Sequence, residues 1–108
     1  MIHELRTYEA LPGRLPALQA RFRDHTVRLF QRHGINIVGF WTYAHGGYSN
    51  ELVYMLSFED MASRDAAWAA FGADPEWQKV VQETQADGPL VSRIRSDLLR
   101  PTDYSPLQ

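Results

Sequence analysis

Polar side chains set among apolar neighbours are the first places to look for chemistry in this chain, and His25 is the foremost. Leu15, Leu18, Phe22, His25 and Leu29 recur at steps of three and four, the spacing of one helix face. An imidazole on such a stripe can act as a general base or hold a ligand by hydrogen bonding. The plainer reading is a structural histidine bonded to a backbone carbonyl or to Glu4, because buried polar groups find partners for stability alone. Glu4, Arg6 and Tyr8 alternate along a second segment and so share one face of a strand. The Arg6 guanidinium matches carboxylate geometry and is a candidate to grip an anionic group. Trp41, Tyr43 and Tyr54 would line the same or adjoining sheet surface and bound a pocket for an aromatic molecule. Core and interface use the same residue types. The site expected from these residues is His25 in a catalytic role, with Arg6, Tyr8, Trp41 and Tyr54 binding a small organic ligand.

Other chemistries find little support. The chain has no cysteine, which removes disulfides, thiol catalysis and thiolate metal sites together. Its histidines, at positions 3, 25, 33 and 45, form no His-x-His or His-x-x-x-His pair, so no metal site is expected. Gly-x-Ser-x-Gly is absent, and Gly46-Gly47 is too short for a phosphate loop and opens no helix. No cofactor is expected. A net charge of -2 argues against nucleic acid and anionic membranes, both of which call for a basic face. No apolar run approaches the ~20 residues of a membrane span. The first residues lack the apolar core of a signal peptide, so the expected location is cytoplasmic.

The elements that must position these residues follow from periodicity and punctuation. Ile2 to Glu9 alternates as a strand. A helix is predicted from about Arg14 to His33, ended by Gly34, with Arg14, Arg21, Arg28 and Arg32 on its solvated side. Two strands, residues 35–41 and 52–56, flank the Gly-containing loop 44–50. An alanine-rich helix from about Asp60 to Phe71 is stopped by Gly72. Asp74-Pro75 starts another, with Trp77, Val80, Val81 and Thr84 as its apolar stripe. The last strand runs from about Val91 to Arg100, and its Arg93, Arg95 and Asp97 share one face that could pair with the Glu4, Arg6 and Tyr8 face. The order β-α-β-β-α-β predicts one α+β domain over residues 1–108, a ferredoxin-like protomer with a four-stranded antiparallel sheet. RNA-binding modules share this order, but the third strand, Glu51 to Phe58, lacks their basic-Gly motif.

Residues 35–41 and 52–56 are apolar at odd and even positions alike, as in strands buried on both faces. Two helices on one side can cover only one face. A second copy of the chain is the economical cover for the other, so a homodimer through sheet packing is expected. In the Pro-punctuated tail after residue 100, Tyr104 and Leu107 are the expected anchors onto the domain.

In Glu4-Leu5-Arg6-Thr7-Tyr8 followed by Pro12-Gly13, in His33-Gly34-Ile35 leading to Gly39-Phe40-Trp41, and in Asp74-Pro75-Glu76-Trp77, the chain resembles the NIPSNAP family. Leu99-Arg100-Pro101-Thr102 and Ser105-Pro106-Leu107 complete the likeness, which runs in order along essentially the whole chain. The resemblance implies a dimeric α/β barrel. The superfamily includes cofactor-free monooxygenases, haem-degrading enzymes and lactone isomerases, and the family itself has no settled reaction. Two functions therefore stand: a small-molecule pocket, monooxygenase- or isomerase-like without a cofactor, and a non-catalytic dimeric interaction module.

Overall fold

Alternation along the strands decides which side chains meet the helices. A computed structural model describes residues 1–108, with strands β1 (Ile2–Ala10), β2 (Asn36–Trp41), β3 (Glu51–Phe58) and β4 (Val91–Leu99). They form one four-stranded sheet in the order β2-β3-β1-β4, and every pairing is antiparallel. This is the ferredoxin-like α+β arrangement. Opposite Arg6 stand Tyr54 on β3 and Ser96 on β4, so these three share a face with Glu4 and Tyr8.

The helices cover that face. α1 (Leu15–Arg21) and α2 (Val27–Arg32) are joined without a break by a π-helical turn, Phe22–Thr26, in which the Val27 N–H bonds to the Phe22 carbonyl. Gly34, at φ 70°, ends α2 as expected. α3 (Met61–Ala73) is capped by the Asp60 carboxylate, which accepts from the Ser63 N–H at 2.8 Å. Gly72 does not stop it. The helix runs one residue further and ends before Asp74, whose place ahead of Pro75 disfavours helical backbone and holds it extended at ψ 119°. The Asp74 carboxylate then caps α4 (Pro75–Thr84), accepting from the Glu76 N–H at 2.9 Å.

Between the layers lie Leu18, Leu29, Phe30, Leu52, Tyr54, Leu56 and Leu90, all nearly without solvent contact. Leu29→Ala should cost about 2–5 kcal/mol, since removing a fully buried leucine side chain leaves a cavity as well as losing its transfer free energy. Urea unfolding checks this, and a cost under about 1 kcal/mol would show that the site collapses freely.

The structure corrects the expected places of Trp41, of the β4 charges and of the tail. β2 presents apolar residues to both faces, through a bulge rather than by simple alternation. A bulge between Ile37 and Gly39 puts Ile37 and Phe40, three residues apart, on the helix side with Leu56 and Tyr54, and leaves Val38 exposed. Trp41 pairs with Val53, so it lies on the face away from Tyr54 and is half exposed. The charges of β4 also lie on that far face, where Arg93 meets Glu9 at 2.7 Å and Arg95 meets Asp97 at 2.8 Å, and not beside Glu4 or Arg6. Tyr104 is 84% exposed and Leu107 is exposed, so neither anchors the tail onto its own domain. No helix is long and apolar enough to cross a membrane.

Candidate functional site

Glu4 has a side chain with no solvent exposure, a costly place for a carboxylate unless donors surround it. Four residues supply them. Arg64 reaches it from α3 through Nε at 2.8 Å and Nη2 at 3.3 Å, and the Trp68 indole N–H, one helical turn on, donates at 2.9 Å. Arg6 Nη1 donates at 2.8 Å from the same strand, and Ser96 Oγ donates at 2.8 Å from β4. Burial pushes the Glu4 carboxyl upward, but these donors outweigh it and bring its pKa down to about 2.

Arg6 extends the network inward. Its Nε donates to the Tyr54 hydroxyl at 2.8 Å and its Nη2 to the Tyr8 hydroxyl at 3.1 Å, while the two hydroxyls lie 2.9 Å apart. The guanidinium also lies 4.4 Å from the centre of the Trp68 ring. Burial opposes its charge, yet the two phenolic oxygens and Glu4 outweigh that and raise its pKa. Burial, reinforced by Tyr8, pushes Tyr54 well above the ordinary tyrosine value against the pull of Arg6, so its hydroxyl stays neutral.

Above this polar floor is a cavity of about 390 Å³ between the sheet and the helices. Arg6 and Tyr8 form part of its lining, and Phe22, Phe30, Trp68, Phe71 and Trp77 supply most of its apolar wall. Arg21, 6% exposed, and Thr26 join the lining from either end of the π-helical turn. The i to i+5 bonding of this turn lets residues five apart face the same way, and the Thr26 hydroxyl donates to the Arg21 carbonyl at 3.3 Å.

Arg6 and Tyr8 thus line one cavity, and Tyr54 sits directly behind them. Trp41 is on the opposite sheet face. His25 is half-buried and lies outside the cavity lining, because the extra residue in the turn gives its inward position to Thr26. Glu4 bonds to Arg64, Trp68, Arg6 and Ser96 and takes nothing from His25. Sequence reasoning missed Arg64 as a partner of Glu4 and assigned Arg21 to the solvated side. The spacing of Arg21 from Leu18, three residues, was the available signal for burial.

A family model described as NIPSNAP matches residues 3–106. Protein NipSnap homolog 3B of Mus musculus is 30% identical over 77 residues, which are 71% of this chain and 30% of that protein. The chain therefore spans less than a third of that relative's length. The crystal structure of an uncharacterized NIPSNAP domain protein from Burkholderia xenovorans superposes with a TM-score of 0.85 at 25% identity, covering 98% of this chain and 99% of the other. A putative antibiotic biosynthesis monooxygenase from Nitrosomonas europaea, 11% identical with a TM-score of 0.64, covers 94% of this chain and 98% of its own and shares the fold alone.

Proposed function

The chain belongs to the NIPSNAP family, and from that premise we propose that it binds a small organic molecule in the cavity between helices and sheet. The observation that carries this is the Tyr8 hydroxyl. Two phenol hydroxyls 2.9 Å apart share one hydrogen bond and retain one further proton between them. Tyr54 is fully buried and does not line the cavity, so a proton left on it would have no acceptor. Tyr54 therefore donates to Tyr8, and Tyr8 turns its own O–H toward the cavity. Arg6, donating to both oxygens, makes that O–H a stronger donor.

A donor fixed in an aromatic-lined pocket suits a carbonyl or phenol oxygen of the ligand and would stabilise negative charge developing there. That is the first requirement of isomerisation or of cofactor-free oxygenation of an enolisable compound. The lining includes no histidine, aspartate or glutamate to remove a proton, so the ligand's own acidity sets whether any reaction follows. The homodimer belongs to the same proposal. The open sheet face carries Trp41, Leu5, Val53, Met55 and Leu99 with no layer of this chain over them, which supports packing of two sheets face to face.

Melting-temperature screening of small aromatic ketones and phenols tests the pocket, because ligands that bind only the native state stabilise it. Val81→Phe, which extends a cavity-lining side chain into the space, should abolish the shifts seen with wild type. Tyr8→Phe should leave the fold intact and weaken the same ligands by about 3- to 10-fold, the worth of one hydrogen bond. Shifts that survive Val81→Phe unchanged would place binding elsewhere.

A further inference from the structure

We propose that the ligand of this cavity carries a carboxylate and that Arg21 holds it, an assignment that rests on the cavity being a ligand site. Arg6, Arg28, Arg32, Arg64 and Arg93 each have a carboxylate oxygen within 4.0 Å. Arg21 has none, although it is the one arginine among the buried residues. Its Nε is buried without any partner, and its guanidinium makes one long hydrogen bond, 3.5 Å, to the Thr84 hydroxyl. That hydroxyl, which donates in turn to the Val80 carbonyl at 2.7 Å, is neutral and leaves the guanidinium charge uncompensated. The Trp77 ring, 5.5 Å away, gives the charge partial company and leaves most of its donors unused.

Buried cations are ordinarily paired, because an uncompensated charge is costly away from water. Here the excess is local. Glu4 matches Arg6 directly, whereas nothing in the chain matches Arg21, and burial lowers its pKa against the opposing effect of Tyr8 and Tyr54. An anion in the cavity would complete the site. Guanidinium is planar and binds carboxylate through parallel hydrogen bonds, and the single unmatched charge in the cavity lining calls for a monoanion. The aromatic walls select a flat apolar body. The class is a small aromatic monocarboxylic acid, its carboxylate on Arg21 and a further oxygen within reach of the Tyr8 hydroxyl.

Isothermal titration of the full chain with 2-naphthoate and with its neutral isostere 2-naphthamide tests this. Wild type should prefer the acid by about tenfold or more. Arg21→Gln should bring the two to near parity by weakening the acid at least tenfold more than the amide. Its unliganded melting temperature should equal or exceed that of wild type, because the substitution removes an unpaired buried charge. Arg21→Lys should keep part of the preference. Equal binding of acid and amide to wild type would overturn the carboxylate and leave the pocket standing, whereas no binding of either would overturn both. Preference for the acid that persists in Arg21→Gln, or a variant that melts well below wild type, would overturn the role given to Arg21.

Discussion

Glu4→Gln is expected to destabilise the protein by about 3–5 kcal/mol, the range for breaking a buried ion pair by removing one partner. The substitution keeps the shape of the side chain but removes the charge that Arg6 and Arg64 face at 2.8 Å each. It also presents an amide NH₂ where Ser96, Trp68 and both arginines all donate, so at least one donor loses its acceptor. The same carboxylate imposes a pH dependence. Its folded pKa of about 2 lies below the ordinary 4.5, so between those values the unfolded chain binds the proton more readily than the folded one. The stabilisation is fully present above about pH 5 and is lost as pH falls through 4.5 toward 2, to a total of about 3 kcal/mol. Urea unfolding of wild type and Glu4→Gln at several pH values would read both effects. The two proteins should converge in stability at low pH. A constant difference down to pH 2.5 would mean that Glu4 is not the titrating group.

Trp41→Asp should convert the proposed dimer to monomer. An obligate sheet-to-sheet interface buries over about 2,000 Å², and tryptophan is the residue type most often responsible for affinity there. Trp41 is 50% exposed in the isolated chain, and its ring lies back over Gly39, where an added Cβ would come within 2.9 Å of it. An aspartate at this position would bring an unpaired charge into an apolar contact. Sedimentation velocity at micromolar concentration should show wild type at twice the 12.4 kDa chain mass and the variant at one. Wild type sedimenting as a stable monomer would end the dimer proposal, whatever the variant does. Val38, which the bulge in β2 also leaves exposed, offers a second site for the same test.

Local signals fixed the path of the chain. Alternation from Ile2 onward, the Gly34 stop, the Asp74-Pro75 start and the apolar stripe of Trp77 and Val80 are decisions that a few neighbouring residues make through backbone sterics and capping. They suffice for the order of elements and hence for the α+β sheet. Period two also places Glu4, Arg6 and Tyr8 on one face, whatever their partners. What such signals cannot carry is phase through an irregularity. One extra residue in the π-helical turn moved His25 out of the cavity lining and turned Thr26 in, and one bulge in β2 separated Trp41 from Tyr54. Pairing across the fold was equally invisible, because which arginine meets Glu4 depends on how α3 crosses the sheet, and Arg64 lies 60 residues away. A carboxylate announces that it needs donors, but only tertiary structure decides which ones arrive. The charge left over at Arg21 exists only as a difference among those pairings.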